Sequence, residues 1–391
     1  MRYNFDKVID RSGTSAEKVE GLKHIWGRTD LIPLWVADMD FATAPFVTDA
    51  IRKRCENEVL GYTGKPDSYY NAIINWVKQR YDLVVAKEMI NFVPGIVPGI
   101  GMAMNCFTQK GDKVMIQPPV YHPFAWVTTR NERTLVTNPL KWENGMYRMD
   151  LDAFRELIKG CKLFILCNPH NPGGVVWTEA ELRAIADICY DEKVLVFSDE
   201  IHADLTLPPH THRPFATVSE KARMNSVTFM SPSKAFNMPG LSASHALIFN
   251  EDLRKRFRIY MDAGELDMGH VFAFLSVEAA YSHGTEWLDQ CLAYIQGNID
   301  FVDDFLKNHA PKIKAIRPEA SYLVWLDCRE LELSQKDLNE FFVDKAHLAL
   351  NDGEMFGKEG IGFMRLNVAS PRCIIEKAMK QLADAYQLYI K

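Results

Sequence analysis

A lysine that follows two serines, in MSPSKAFNMPGLSAS at residues 230–244, is the side chain best placed for covalent chemistry. This residue, Lys234, comes just after SVTFM (226–230), an apolar run that predicts a strand buried on both faces. Ligands of wound α/β sheets bind at the carboxyl ends of strands. A lysine there becomes a Schiff-base nucleophile when burial or a nearby cation lowers its pKa. The alternative for this motif alone is a solvated lysine in a Ser/Pro loop.

Two further polar segments also follow predicted strands. CNPHNPGGVVWT (167–178) places Asn168 and Asn171 beside prolines that fix the backbone, so an amide could donate to a phenolate-like oxygen on an aromatic cofactor. FSDEIHADL (197–205) delivers Asp199, whose carboxylate could pair with a pyridinium nitrogen, and His202 within reach of the same ring. Taken alone, the first motif is typical of a structural turn and the second of a charged helix start.

A fourth segment, NFVPGIVPGIGMAM (91–104), precedes a predicted helix. Gly95 and the amides of Ile96 and Val97 could meet a phosphate there, because the N–H groups and dipole of a helix N-terminus favour anions. Glycine-rich turns are common, so this pattern by itself is a weak indication.

The elements around these segments predict an α/β fold. Short apolar runs alternate with helical patterns in the middle of the chain, and one helix (178–192) opens with Thr178 as its N-cap and Glu181 three residues later. After residue 284 the pattern changes to amphipathic helices at 284–310 and 373–390, with strands at 321–328 and 361–369. We therefore expect a large wound, mostly parallel sheet domain at 51–284 and a smaller α+β domain at 285–391. The segment 1–50 is expected to fold back onto the smaller domain.

Bulk properties exclude several classes of protein. The 391 residues carry a net charge of −6, which gives no electrostatic footprint for nucleic acid or an anionic membrane. The eight cysteines are scattered, without CxxC pairs or a Cys/His cluster at metal-ligand spacing, so no metal site is expected. The first twelve residues lack an apolar signal core, and we expect a cytoplasmic protein.

The four segments together, in the order phosphate loop, Asn turn, strand-end Asp and Ser-x-Ser-Lys, resemble the fold-type I pyridoxal 5′-phosphate enzymes of the aspartate aminotransferase superfamily. The chain is more closely similar to the MalY/PatB-type C–S lyases, the cystathionine β-lyase-like branch, and this likeness extends from Leu34 to residue 372. It rests on the following segments: LWVADMDF (34–41), GYTG (61–64), PPVYHPF (118–124), NPHNPGG (168–174), SDEIHADL (198–205) and SPSKAFNMPGL (231–241). The resemblance implies a seven-stranded sheet in the large domain.

The resemblance also implies roles around the cofactor ring. Lys234 holds pyridoxal phosphate as a Schiff base, and Asp199 pairs with the pyridine nitrogen. Asn171 binds the ring hydroxyl with His202 nearby, and Tyr121 stacks on the ring. For Tyr121, the alternative is an aromatic residue packed in a turn after two prolines.

Other implied roles concern the phosphate and the subunit partner. Ser231, Ser233 and the amides of Ile96 and Val97 hold the phosphate. Tyr62 reaches the phosphate of a neighbouring subunit, which implies a homodimer with shared sites.

Arg365, in FMRLN, is implied to clamp the α-carboxylate of the substrate as a bidentate pair. The alternatives are that Arg365 lies on the surface and that Arg372 is the clamp. Trp35 and Met39 are candidates for the substrate pocket, although apolar residues in such a segment usually belong to the core.

The chain departs from the superfamily pattern at two positions. Gly174 replaces the usual threonine of the Asn turn, and Ser242 stands where many aminotransferases carry a phosphate-binding arginine. The second change favours a lyase over an aminotransferase.

The expected reaction is α,β-elimination from cystathionine or another cysteine thioether, giving pyruvate, ammonia and a thiol. The alternatives are an aminotransferase on the same scaffold and a regulatory protein that binds the cofactor and a partner.

Overall fold

The computed structural model describes residues 2–389, so the parts of the predicted ranges that fall on Met1, Ile390 and Lys391 lie outside the described residues. The helices are α1 Glu17–Trp26, α2 Pro45–Cys55, α3 Asp67–Tyr81, α4 Ile96–Phe107, α5 Pro123–Arg130, α6 Leu151–Leu157, α7 Glu179–Asp191, α8 Glu220–Met224, α9 Glu251–Ala263, α10 Val271–His283, α11 Thr285–His309, α12 Gln335–Glu340 and α13 Arg372–Tyr389. The strands are β1 Ile32–Pro33, β2 Ile90–Val93, β3 Lys113–Ile116, β4 Thr134–Thr137, β5 Lys141–Glu143, β6 Met146–Arg148, β7 Cys161–Cys167, β8 Leu195–Asp199, β9 Ser226–Met230, β10 Ser244–Leu247, β11 Lys314–Ile316, β12 Leu323–Asp327, β13 Leu348–Ala349, β14 Asn351–Asp352 and β15 Phe363–Asn367.

A seven-stranded sheet of order β2-β10-β9-β8-β7-β3-β4 forms the centre of the large lobe. The pairs β9/β8, β8/β7, β7/β3 and β3/β4 are parallel, and β10 is antiparallel to both β9 and β2. The predicted α/β class, with a large mostly parallel sheet, is confirmed. Because β2 and β9 are both antiparallel to β10, they run parallel to each other. Their carboxyl ends therefore lie at the same edge of the sheet as those of β8, β7 and β3.

Alternation of side chains fills both faces of this sheet. Phe92, Met230 and Leu247 face α3 and α10, whereas Val93 and Phe229 face α4 and α9. Burial on both faces explains why these strands appear in the sequence as continuous apolar runs.

The helix after the Asn turn begins as its sequence predicts. Thr178 Oγ1 accepts a hydrogen bond from the Glu181 N–H (3.2 Å), and the Glu181 carboxylate accepts from the Thr178 N–H (2.9 Å). This reciprocal cap satisfies two amides that α7 itself cannot bond. It fixes where the chain leaves the functional edge of the sheet.

The threonine of the usual Asn turn corresponds to Gly173, the third residue of NPGG (171–174), and not to Gly174 as expected. The glycine that follows it has a steric cause. Gly174 has φ +69°, and a Cβ there would lie 2.5 Å from the Cβ of Pro318. The Gly174 carbonyl accepts hydrogen bonds from the Glu319 and Ala320 N–H groups (2.8 and 3.1 Å). The turn is therefore packed backbone-to-backbone against the segment that leads into β12.

A second, antiparallel sheet of order β11-β12-β15-β14 lies with α11, α12 and α13. The N-terminal segment joins this part of the fold, since β1 pairs in parallel with β13 and the Asn367 N–H donates to the Leu34 carbonyl (2.9 Å). Within residues 2–389, no helix has both the length and the apolar character needed to cross a bilayer.

Candidate active site

The carboxyl edge of the large sheet borders a cavity of about 210 Å³. The chain reaches it from the ends of β2, β7, β8 and β9, as expected for a wound sheet. Eight of the predicted site residues line it: Ile96, Val97, Tyr121, Asn171, Asp199, His202, Ser233 and Lys234. Segments spread over more than 130 residues of sequence thus meet at one site.

The Lys234 amine is withdrawn from solvent inside this cavity. Its Nζ donates a hydrogen bond to the Ala37 carbonyl oxygen (2.5 Å). Burial, together with the guanidinium of Arg365, lowers the pKa of Lys234 to about 8. A substantial fraction of the amine is therefore neutral near pH 8, which is the form that attacks a carbonyl or accepts a proton.

The Asp199 carboxyl group forms no ion pair with any side chain in the part of the chain that the structure describes. Burial raises its pKa to about 7, although one oxygen accepts a hydrogen bond from the Ile201 N–H (3.1 Å). A buried carboxylate is destabilised unless it meets a cation or several donors. A protonated ring nitrogen in the cavity would supply that cation, so Asp199 fits pyridoxal phosphate.

His202 carries a second group that lacks a partner. The side chain is buried, and its Nδ1 has no hydrogen-bond partner among residues 2–389. Burial and the charges of Lys234 and Arg365 lower its pKa to about 3, so the ring is neutral. An orphaned buried nitrogen on a residue that lines the cavity also fits a polar ligand there.

Tyr121 is held beside the Asn turn by its backbone, since its N–H donates to the Asn171 carbonyl (3.0 Å). The ring is half-buried and packs edge-on against Phe124, with centroids 5.7 Å apart. Burial raises the pKa of the Tyr121 hydroxyl, so the phenol is neutral over the physiological range.

Donors suited to an anion also line the cavity. Ile96 and Val97 occupy the first turn of α4, where backbone N–H groups have no intrahelical acceptor. Ser233 lines the cavity, and its N–H donates to the Ser231 hydroxyl (3.1 Å). Ser231 is not a lining residue, and its Oγ lies 2.8 Å from the Ala243 carbonyl oxygen. Ser231 is thus placed to support Ser233.

Arg365, on β15, is a buried guanidinium with no carboxylate within 4.0 Å in residues 2–389. It donates to the side-chain oxygens of Asn171 (3.1 Å) and Asn351 (2.5 Å) and to the Trp35 carbonyl (3.2 Å). Its Nε has no partner in that range, and burial lowers its pKa to about 10. This cation is therefore available to an anion.

The alternative arginine lies elsewhere. Arg372 begins α13, donates from Nε to the Asn298 side-chain oxygen (2.8 Å) and lies over the Phe301 ring. These contacts belong to the packing of α13 on α11, remote from the residues that line the cavity.

The N-terminal candidates are placed differently from the expectation. Met39 is buried in the core with its sulfur 3.8 Å from that of Cys291, and the Trp35 indole donates to the Lys18 carbonyl (3.0 Å). Neither lines the cavity, and from this segment it is Ala37 that does. Residues 36–38 form a bend and not a regular strand, so residues two apart in this segment need not face the same side.

Tyr62 is 98% exposed and borders a separate surface cavity formed by residues 60–65 and 268–271. A single chain therefore does not bring Tyr62 to Lys234.

Four residues that the sequence analysis did not select support the site from behind. Asn237 bonds the Met39 N–H and carbonyl (3.0 Å each), and Asn367 bonds the carbonyls of Val36 and Asp38 (2.7 Å each). Tyr322 and Ala37 complete this set, since the Tyr322 hydroxyl donates to the Ala37 carbonyl (2.9 Å). No local sequence pattern marks these residues, because their partners lie more than 190 residues away.

Comparison with known proteins gives one consistent result. The family model described as aminotransferase class I and II matches residues 29–382. Cystathionine β-lyase PatB of Bacillus subtilis (strain 168) is 38% identical over 384 residues, which cover 98% of this chain and 99% of that protein. Cystalysin from Treponema denticola, whose crystal structure contains pyridoxal 5′-phosphate, is similar with a TM-score of 0.96, 34% identity and 99% coverage of both chains. The PLP-bound C–S lyase from Staphylococcus hominis matches with a TM-score of 0.91, 35% identity and 98% coverage of both chains.

The family match spans most of the chain, and a relative above 30% identity is covered almost completely. The chain belongs to the aminotransferase class I and II family, in the branch that includes the PatB-type C–S lyases.

Proposed function

We propose that this protein is a pyridoxal phosphate-dependent C–S β-lyase, which cleaves cystathionine or another cysteine thioether to pyruvate, ammonia and a thiol. The observation that carries the proposal is that a partly buried lysine and a buried carboxyl group line one cavity, with the buried guanidinium of Arg365 bonded to Asn171 of its lining. Its relatives named cystathionine β-lyase and C–S lyase support the same reaction.

When bound, pyridoxal phosphate supplies an electron sink for the pair released from a broken Cα–H bond. Lys234 is the residue that would hold it covalently. The Asp199 carboxylate would lie against the ring nitrogen, where its charge is compensated and keeps that nitrogen protonated. Asn171 and His202 would face the polar edge of the ring, and Tyr121 its face.

The phosphate would be held at the opposite end of the cavity. The hydroxyl of Ser233, supported by Ser231, and the amides of Ile96 and Val97 are donors of the kind that phosphate needs. No arginine is required for this set, in keeping with a serine at position 242.

Arg365 would bind and orient the substrate through its α-carboxylate. Its planar fork allows two parallel hydrogen bonds, which fix the direction of the Cα–H bond toward the lysine. Asn171 and Asn351 already hold the guanidinium, so little side-chain freedom is lost when the substrate binds.

Lys234, once released by the substrate amine, would accept the Cα proton at Nζ. The low pKa of this amine keeps a neutral fraction available near neutral pH. The thiolate then leaves from Cβ, and water completes the release of ammonia and pyruvate, so that one thioether and one water give one thiol, one pyruvate and one ammonia.

A homodimer with shared sites is part of the proposal. Tyr62 is almost fully exposed, and the neighbouring Val59 and Leu60 are 72% and 59% exposed. A second copy that covered this surface would remove its apolar area from water. Sedimentation of the holoenzyme as a dimer is expected, and a monomer would refute this part.

We also propose a cytoplasmic location. All eight cysteines are free thiols, and Cys55 and Cys373 are exposed. Exposed free thiols persist in a reducing compartment.

The function is tested with Lys234→Ala. The variant is expected to lose the visible absorbance of the lysine-bound cofactor and to release no pyruvate from L-cystathionine. The matched change Lys255→Ala, at an exposed lysine of α9, should leave both unchanged.

The same assay distinguishes the lyase from the alternative function, that of an aminotransferase. The wild-type enzyme should form pyruvate and free thiol from L-cystathionine. Glutamate formed from 2-oxoglutarate, without thiol release, would contradict the lyase.

A further inference from the structure

Among residues 2–389, the Ala37 carbonyl is the one hydrogen-bond acceptor of the Lys234 amine. It accepts hydrogen bonds from Lys234 Nζ (2.5 Å) and from the Tyr322 hydroxyl (2.9 Å). The carbonyls on either side of it are fixed by the amide of Asn367. The position of the free amine therefore depends on where this stretch of backbone is held.

The far side of the same stretch carries a compact cluster of charges. Arg11 donates to both oxygens of Asp38 (2.6 and 3.1 Å) and to Asp40 (3.3 Å). Lys18 Nζ lies 2.9 Å from the Asp40 carboxylate and 3.6 Å from that of Asp38, and it also donates to the Asp38 carbonyl (3.3 Å). The cations of Arg11 and Lys18 thus both pair with the carboxylates of Asp38 and Asp40.

Lys18 is unusual in this cluster because its side chain is 0% exposed, against 24% for Arg11. A fully buried ammonium loses its hydration, and lysine is almost never buried unless it is paired. Within residues 2–389, the hydrogen-bond and ion-pair partners of Lys18 Nζ all belong to Asp38 and Asp40. The Trp35 indole ties the same stretch to the Lys18 carbonyl.

We propose that Lys18 is a positioning residue of the active site, which holds residues 38–40 so that the adjoining Ala37 carbonyl stays against Lys234. It touches neither substrate nor cofactor and acts through the backbone. The inference rests on the proposed function, in which Lys234 is the base. In that role, the carbonyl directs one N–H of the amine and so orients its lone pair.

Two effects of removing the Lys18 charge have opposite signs. Loss of the cation alone makes the surroundings of Lys234 more negative, which raises the pKa of its amine. Displacement of the Ala37 carbonyl removes an acceptor from the ammonium form, which lowers that pKa. The direction of the shift therefore distinguishes positioning from a long-range charge effect.

The test is Lys18→Met in the full-length holoenzyme, with L-cystathionine as substrate. We expect kcat on its plateau to fall about tenfold, because the base is misdirected, with KM changed less than about twofold. The acidic limb of the kcat profile should move down by about half a pH unit. A second readout avoids turnover: the visible absorbance should return, after removal and re-addition of pyridoxal phosphate, with a pH midpoint shifted the same way.

Lys23→Met is the matched control, since Lys23 lies on the same helix and is exposed; it should change none of these quantities. A lower melting temperature for Lys18→Met with unchanged kcat and midpoints would make Lys18 merely structural and overturn the proposal. An upward shift of the midpoints would also overturn it.

If Lys18→Met does not fold, kcat of Asp40→Asn tests the proposal instead. Asp40 is partly exposed and is the nearest partner of Lys18. A several-fold loss of kcat supports positioning, and wild-type kcat refutes it, with Asp10→Asn at an exposed site as control. Failure of the proposed function would show earlier, as absent thiol release by the wild-type enzyme.

Discussion

The carboxyl edge of the large sheet and the backbone segment 35–41 both shape the cavity, but they do so by different means. At the sheet edge, Asp199 ends β8 and Lys234 follows β9 by four residues, so strand order alone brings them together. In the segment 35–41, Ala37 contributes a carbonyl whose partner Lys234 is 197 residues away in sequence. The first region supplies reactive side chains, and the second supplies backbone that directs them.

The sheet-edge region should give the largest effect when changed. Asp199→Asn is expected to lower kcat at least about 100-fold, because the ring nitrogen loses its carboxylate. The measurement is the initial rate of pyruvate release from L-cystathionine. Asp187→Asn, at an exposed position of α7, should leave that rate unchanged.

Asp199→Asn should also stabilise the folded chain once pyridoxal phosphate has been removed. Folding raises the pKa of Asp199 to about 7 from 3.8, so the ionised form costs free energy in the folded chain as pH rises from 4 to 7. Asparagine removes this cost. The gain in free energy of unfolding should therefore be larger at pH 8 than at pH 5, and equal gains at both would contradict the burial argument.

Arg365 joins the two regions, and we expect an intermediate effect there. Arg365→Lys keeps the charge but loses the fork, so KM for L-cystathionine should rise roughly 10- to 100-fold. The change in kcat should be smaller, since the lysine and carboxyl group remain. Arg372→Lys is the matched control and should leave KM unchanged. An equal rise in KM for both variants would contradict the assignment of the carboxylate clamp to Arg365.

The smallest effect is expected where a side chain only steadies the Ala37 carbonyl. Tyr322→Phe removes one donor to that carbonyl, so kcat should fall about fivefold, the value of one ordinary hydrogen bond. Tyr69→Phe is the comparison, because the Tyr69 hydroxyl is buried without a partner in residues 2–389 and its loss should not lower kcat. Equal kcat for both variants would show that Tyr322 does not hold the Ala37 carbonyl in place for catalysis.

The sequence predicted the sheet edge far better than the segment 35–41, for a physical reason. A strand buried on both faces leaves a continuous apolar run, and the polar residues after it must fall at the sheet edge, as for Asp199 and Lys234. The α/β class and the Thr178 cap follow from equally local patterns. The apolar pattern of the sequence did not identify the edge strands β2 and β4.

The supporting residues could not be predicted in this way. Asn237, Tyr322 and Asn367 act on backbone carbonyls, which every residue has, and their partners are set only by the packing of distant segments. Met39 was assigned to the pocket region from its motif, yet it packs in the core against Cys291, and Ala37 is the residue of this segment that lines the cavity. Lys18 likewise looks like either of the two lysines of an amphipathic helix until its burial is known.

The central claim is that pyridoxal phosphate is held on Lys234, and chemical trapping tests it most directly. The holoenzyme is reduced with borohydride, digested and mapped by mass spectrometry. We expect the reduced cofactor adduct on the peptide that contains Lys234. An adduct on any other lysine, with Lys234 unmodified, would contradict it.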